Sequence, residues 1–306
     1  MSGMADMSDG RARLLSYGEP GRWRSGIAFG SKVIDLEALT RALGWDVPVR
    51  DVIGFLAEGV PEDLAERLTA LAALLESEGA VRPLDRVRLG PPVPAPEKIV
   101  CIGLNYHDHA DEVGAEAPKE PIFFAKFANS LVGPGDAIVP PRETSKLDYE
   151  CELAIVIGRP GRRVAEKDAL AHIAGAMVLN DVSARDLQLA NQLWTGGKAI
   201  DTFAPCGPAI TLMRDIDDLQ DLPVVTRLNG EVLQNGTTAS MIFGVAEIVA
   251  FLSRIMTLRP GDIIATGTPA GVAASHDPPR FMKTGDEVSC EIGRLGALRN
   301  PVAEPV

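Results

Sequence analysis

Histidine and cysteine are both scarce in this chain, at four each in 306 residues. Cys101, Cys151, Cys206 and Cys290 are scattered, with no CxxC pair. That argues against a zinc knuckle or a disulfide framework and makes a reducing cytoplasm the expected compartment. Basic residues are outnumbered, with 30 Lys+Arg against 42 Asp+Glu and a formal net charge of −12. A phosphate-backbone binder needs clustered cations, so no nucleic-acid partner is expected. The longest apolar runs, Leu153 to Ile157 and Ile173 to Leu179, fall far short of the ~20 residues of a membrane helix, so no membrane partner is expected either. Neither GxGxxG nor GxxxxGK[ST] follows a strand-like run, which removes the two commonest nucleotide fingerprints. Met1 to Gly10 is polar and lacks a basic head before an apolar stretch, so it reads as a frayed tail and not as a signal peptide.

What is present is an ordinary globular composition, 46% apolar, arranged in two textures. Residues 11–95 read as a small accessory α+β unit. Short β-like pieces (Ala12 to Tyr17, Arg24 to Phe29, Lys32 to Leu36) alternate with Gly-rich turns, and Asp35 to Leu43 and Asp63 to Glu78 read as helices. Leu64, Leu68, Leu71, Leu74 and Leu75 fit a 3.6-residue period, and Gly79 is a plausible stop. Leu89 to Glu97 holds four prolines in nine residues, which predicts a stiff, extended connector rather than a packed element. Residues 96–306 switch to short β-runs: Lys98 to Leu104, Ile122 to Lys126, Glu150 to Gly158, Ala174 to Asp181, Ala209 to Leu212, Val224 to Asn229, Asp262 to Thr266 and Glu287 to Ile292. Ala246 to Ile255 is the clearest helix. Asn229-Gly230 and Asn235-Gly236 read as tight turns, making Val224 to Leu233 a hairpin. The expected fold class is mixed β with few helices (α+β), a sandwich, roll or distorted barrel, and not a Rossmann fold.

Chemistry concentrates in the second unit. Glu150 and Glu152 are two apart at the head of a strongly apolar strand, so they share a face. Burying two adjacent carboxylates without a cation is costly. Arg or Lys from neighbouring strands could neutralise them, or the pair could face solvent. Asp181 lies where a second buried strand ends, and alone it reads equally as a helix N-cap. Three carboxylates with no thiolate or imidazole beside them suit a hard cation such as Mg2+, Mn2+ or Ca2+.

Five segments occur in one order: Cys-Ile-Gly-Leu-Asn-Tyr-His-Asp-His (101 to 109), Asp-Tyr-Glu-Cys-Glu-Leu (148 to 153), Asn-Asp-Val-Ser-Ala-Arg-Asp-Leu-Gln (180 to 188), Gly-Gly-Lys (196 to 198) and Thr-Gly-Thr-Pro-Ala-Gly-Val (266 to 272). Together they closely resemble the fumarylacetoacetate hydrolase (FAH) family, over roughly residues 98 to 300. Within it the chain is similar to the 2,4-diketo acid hydrolases and 2-hydroxyhepta-2,4-diene-1,7-dioate isomerases. The resemblance implies a mixed β-roll catalytic domain, a Mg2+ or Mn2+ site, a small-molecule 2-oxo acid substrate and a homodimer. It places the metal ligands at Glu150, Glu152 and Asp181. It turns Arg185 and Gln188 toward the substrate, where spacing alone would make them surface residues.

Lys198 follows two glycines that let backbone approach a ligand, and its compact cation suits a second oxyanion or a substrate carboxylate; a solvated loop lysine is the plain alternative. His109 and Glu112 are i and i+3, so they share a face if helical. In the resembling family such a pair sits on a short lid and activates water; otherwise both are solvent-facing helix residues. The Thr268 hydroxyl and nearby backbone N–H groups could hold a carboxylate, or simply form a strand-to-loop turn. His107-x-His109 also resembles the first zinc ligands of an amidohydrolase barrel, but only His172 and His276 remain to complete such a site.

Leu104 stands where some oxaloacetate-decarboxylating members carry Arg, which favours a neutral or hydroxylated distal arm, such as that of sugar-derived 2,4-diketo-3-deoxy acids. The expected activity is metal-dependent C–C hydrolysis of a 2,4-diketo acid to pyruvate and an acid, with His109 and Glu112 activating water and Lys198 steadying charge. The alternative is an isomerase, hydratase or decarboxylase of a related enol-keto acid in aromatic-compound catabolism.

Overall fold

The computed structural model describes residues 9–306. One twelve-stranded sheet runs through both parts of the chain. From one edge its main path is Val81–Pro83, Lys32–Asp35, Arg22–Phe29, Arg13–Glu19, Ala204–Leu212, Ile173–Asn180, Cys151–Ile157, Ile263–Ala265, Ile99–Gly103 and Ile122–Lys126. Neighbours on this path are antiparallel except Ile263–Ala265 against Ile99–Gly103, which run parallel. A second, four-stranded sheet has the order Glu231–Thr237, Pro223–Leu228, Glu287–Ile292, Gly296–Pro301. The result is a mixed α+β fold with a dominant sheet and few helices, as the β-rich texture predicts. Among the described residues no helix is long and apolar enough to cross a membrane.

The central strands are covered on both faces, which is why they read as continuous apolar runs. Cys151, Leu153, Ile155 and Ile157 join one core with Val224, Val288, Ile292 and the buried side of helix α7 (Val245–Ile255, numbered after the six helices that precede it). Ala154 and Val156, on the opposite face, join a second core built with α1 (Leu36–Ala42), α2 (Val52–Glu58) and α3 (Leu64–Ser77). Helices α1 and α2 start where the chain supplies side-chain caps. The Asp35 carboxylate accepts from Ala38 N–H at 3.2 Å, and that of Asp51 from Gly54 N–H at 2.7 Å.

Two local readings are corrected. The proline-rich stretch packs: Leu89–Gly90 pairs with Arg13–Glu19, and Val93 is fully buried. The prolines remove donors but leave carbonyls, and Pro91 O accepts from the Ser16 hydroxyl at 2.8 Å. Asn235-Gly236 is not a turn. It lies inside Glu231–Thr237, paired with Val225 and Val224. The glycine is there for close approach, since a Cβ would come within 2.5 Å of Pro269. The hairpin itself turns at Asn229-Gly230, both at positive φ.

Of the expected tail, residues 1–8 lie outside the described residues; Asp9 is ion-paired to Arg13 at 2.7 Å. We propose residues 11–95 as the accessory unit and 96–306 as the site-bearing unit. The two share the sheet and one core, but every residue lining the cavity described below comes from Ile102 onward.

Candidate active site

Strand register assembles the acids. Cys151 pairs with Asn180, so one step further out Glu150 meets Asp181, whose N–H donates to Glu150 O at 2.8 Å. Asn180 Oδ1 accepts the Glu150 N–H at 3.0 Å. On the other side, Ile263–Ala265 delivers Gly267, whose N–H donates to Glu152 Oε2 at 2.9 Å. Gly267 has φ +95°, and a Cβ there would crowd Asn105, so glycine is required. All three carboxylates are buried, and a ligand atom from each lies within 4.8 Å of the others.

Three cations enter this cluster. The Lys198 ammonium donates to Glu150 Oε2 at 2.6 Å and Asp181 Oδ2 at 2.8 Å. Lys126, at the end of its edge strand, donates to Asp181 Oδ1 at 2.6 Å and Val182 O at 3.1 Å. Arg185, opening α5 (Arg185–Gln188), bonds Asp148 through Nε at 2.7 Å, Glu150 through Nη2 at 2.6 Å and Gln188 Oε1 through Nη1 at 3.0 Å. Neutralisation by Lys or Arg therefore describes Glu150 and Asp181. It does not describe Glu152, whose carboxylate has the Gly267 N–H and, among the described residues, no cation bonded to it.

The electrostatics follow. Burial works to raise the Glu150 carboxyl, but the charges of Lys198 and Arg185 overcome it and hold it well below the usual range. Burial works against the Lys198 ammonium, yet Asp181 and Glu150 keep its pKa above the ordinary lysine value. Glu152 goes the other way: burial first, then the charges of Asp181 and Glu150, push it well above the usual range. Asp148, Glu150, Glu152 and Asp181 outnumber Lys126, Arg185 and Lys198 by one charge. A buried, oxygen-only donor set that is short of positive charge fits a hard divalent cation. The single ammonium of Lys198 now bridges two of the three acids, and an ion of higher charge would take that place. Uptake of a divalent ion would turn the cluster's deficit into a surplus of one, which suits a carboxylate ligand.

His109 and Glu112 lie on α4 (His107–Glu112), placed directly after the Ile99–Gly103 strand. Asn105 anchors the junction: its side chain bonds Phe243 N–H at 2.8 Å, Thr266 O at 2.8 Å and Phe243 O at 3.1 Å. His109 Nδ1 and Glu112 Oε2 are 3.0 Å apart, and Glu112 Oε1 accepts the Gly271 N–H at 2.7 Å, tying the helix to the 266–272 turn. His109 is 7% exposed, so the solvent-facing alternative does not hold for it.

A cavity of about 380 Å³ joins these groups. Glu150, Glu152, Arg185, Gln188, Lys198, His109 and Thr268 all line it. Asp181 is fully buried and does not. The Thr268 hydroxyl is already engaged, donating to Cys151 O at 2.8 Å and accepting from Gln234 Nε2 at 2.8 Å. The pattern of residues did not single out Lys126, Asp148, Phe124 or Trp194. A lysine ending the apolar run Ile-Phe-Phe-Ala was the one available signal, because such a charge needs a buried partner.

The family model described as Fumarylacetoacetate (FAA) hydrolase C-terminal matches residues 98–303. A Bos taurus protein named Oxaloacetate tautomerase FAHD2A, mitochondrial, is 42% identical over 275 residues, covering 89% of this chain and 84% of that protein. The solved fumarylacetoacetate hydrolase of Exiguobacterium antarcticum superposes with a TM-score of 0.80 at 34% identity, covering 96% of this chain and 99% of that one. Maleylpyruvate hydrolase from Sphingobium sp. SYK-6, solved with manganese(II) and pyruvate, gives 0.74 at 31% identity, covering 96% and 100%.

Proposed function

The chain belongs to the fumarylacetoacetate hydrolase family, and from that premise we propose that it is a divalent-metal-dependent enzyme that moves a proton on a 2-oxo acid, interconverting its keto and enol forms. Similarity to a protein named as an oxaloacetate tautomerase supports this reading. The observation that carries it is the His109–Glu112 pair, 3.0 Å apart, with His109 lining the same cavity as Glu150 and Glu152.

Glu150, Glu152 and Asp181 would hold the ion, with Mg2+ the proposed metal and Mn2+ or Ca2+ as alternatives. When bound, it would supply charge that polarises the 2-oxo carbonyl and favours the enolate. Lys198 adds a second positive charge at this end of the cavity, for the substrate carboxylate or a developing oxyanion. Arg185 and Gln188 are bonded to each other and line the same end, where they orient the acid head. With Nδ1–H held on Glu112, His109 keeps Nε2 to accept a proton, and the carboxylate stabilises the imidazolium that results. Thr268 contributes shape, since its hydroxyl is engaged elsewhere.

C–C hydrolysis of a 2,4-diketo acid to pyruvate and an acid is the second reading. The same His109 Nε2 favours it, taking a proton from water instead of from carbon, as does similarity to a maleylpyruvate hydrolase. A homodimer belongs to the proposal; the apolar side chains of Ile122, Phe123 and Phe127, on and beside an edge strand, are exposed and support it. We keep a reducing compartment, the cytoplasm, as the proposed location because all four cysteines are free and buried. The similar bovine protein carries the word mitochondrial in its name.

His109→Asn is expected to lower kcat by about 10²–10⁴-fold while Mn2+ binding persists in calorimetry. Assays of enol-to-keto conversion and of pyruvate release tell the two readings apart. No turnover of any 2-oxo acid with Mg2+ or Mn2+ would contradict both.

A further inference from the structure

Gln234 sits in Glu231–Thr237, an edge strand of the smaller sheet, opposite Thr226. It is fully buried and does not line the cavity. A side-chain amide carries two donor hydrogens and an oxygen that accepts two bonds, and a buried one needs them filled. All four places are filled. Gln234 Oε1 accepts the Cys151 N–H at 3.1 Å and the Thr226 hydroxyl at 2.7 Å. Its Nε2 donates to Thr268 Oγ1 and to Pro269 O, each at 2.8 Å. Turning the amide over would set its NH2 group against the Cys151 N–H and its oxygen against the Pro269 carbonyl, so the partners fix its orientation.

Three of these groups close a ring. The Cys151 N–H reaches Gln234 Oε1, Gln234 Nε2 reaches Thr268 Oγ1, and the Thr268 hydroxyl returns to Cys151 O at 2.8 Å. Cys151 is the residue between Glu150 and Glu152. Beside Thr268 stands Gly267, whose N–H donates to Glu152 Oε2. The ring therefore ties the backbone that carries two of the acids to the turn that supplies the donor to one of them. That turn lies against the Gln234 strand with no room for a side chain between them. A Cβ on Gly271 would come within 2.1 Å of Leu233 O, and one on Gly236 within 2.5 Å of Pro269. A buried polar network with every member paired holds its parts in one arrangement.

We infer that Gln234 is a positioning residue for the divalent ion: through Cys151 and Thr268 it holds the Glu150–Glu152 backbone and the Gly267 donor in one arrangement, and metal affinity depends on it although it lines no part of the cavity. The inference rests on reading Glu150, Glu152 and Asp181 as the metal ligands.

The test is calorimetric Mn2+ binding to the full chain, with thermal unfolding of the metal-free protein beside it. Gln234→Met keeps the length of the side chain and removes every bond of the amide. It is expected to weaken Mn2+ binding by about 10–100-fold. Thr226→Val is the control. It removes one buried hydrogen bond from Gln234 but leaves the ring closed, so it should lower stability and leave the Mn2+ Kd at the parent value. Thr268→Val opens the ring from its other side while Gln234 keeps Cys151, and should weaken Mn2+ binding in the same direction. A merely structural role would lower stability in all three variants and leave Kd unmoved. Gln234→Met binding Mn2+ as tightly as the parent, or Thr226→Val weakening it as much as Gln234→Met, overturns the inference and leaves the metal site intact. Should Gln234→Met not fold, Thr268→Val decides: a raised Kd supports the inference and an unchanged one overturns it. A parent protein that binds no Mn2+ overturns the metal reading itself, and this inference with it.

Discussion

Glu152→Gln is expected to take turnover to background and to abolish divalent-cation binding, while leaving the metal-free fold as stable as the parent or more so. The two halves of that result come from one fact. Glu152 is the acid in the cluster with no cation bonded to it, and burial beside Asp181 and Glu150 pushes its carboxyl well above the usual range. Without metal it is a buried carboxyl pressed against two like charges, so an isosteric amide removes a source of repulsion and little else. With metal it is an anionic ligand, and the amide is a poor substitute. The parent protein at a metal concentration of 100 times Kd gains about 2.7 kcal/mol of stability; the variant should gain almost none. Thermal unfolding with and without Mg2+ reads both halves. A variant that keeps the Mg2+-dependent shift, or that loses several kcal/mol without metal, contradicts the assignment.

The second large effect is at Lys126. Its ammonium is fully buried against Asp181 and the Val182 carbonyl. Lys126→Met is expected to cost about 3–5 kcal/mol in the absence of metal, because it strands part of a buried carboxylate's charge. The cluster would then be two positive charges short, so Mg2+ should recover a larger share of stability in the variant than in the parent. Denaturant unfolding with and without Mg2+ measures this. A loss under about 1 kcal/mol, the size of an exposed pair, would remove Lys126 from the buried network.

Where one residue's neighbours decide its structure, the pattern was readable. Ile122–Lys126 forms the strand that its short apolar run predicts, Glu287–Ile292 the one that its alternation predicts, and α3 forms over its leucine period, burying Leu64, Leu68 and Leu75. The shared face of Glu150 and Glu152 was readable from a strand's period of two, whereas Asp181 joined them through the family resemblance, because its place beside Glu150 depends on the pairing of two strands that the pattern alone does not give. Distant partners decided the rest. Helix α2 spans only seven residues, too few for a period to show. Gly296–Pro301 carries glycine, proline and polar residues and becomes a strand by pairing with Glu287–Ile292. Asn235-Gly236 has the dipeptide of a turn but is held straight by its pairing and by Pro269. Lys126 meets a partner 55 residues away that its own strand does not announce. Lys198 was read as a group for substrate, and its place between two acids depends on how α6 (Thr195–Lys198) packs beside the strand ends.

All of this turns on whether those acids grip one ion. The direct measurement is an anomalous difference map from a crystal of this protein soaked in Mn2+. The account predicts a single strong peak within about 2.0–2.6 Å of oxygens from Glu150, Glu152 and Asp181, with the Lys198 ammonium moved aside. No peak there, with Lys198 still bridging Glu150 and Asp181, would contradict it.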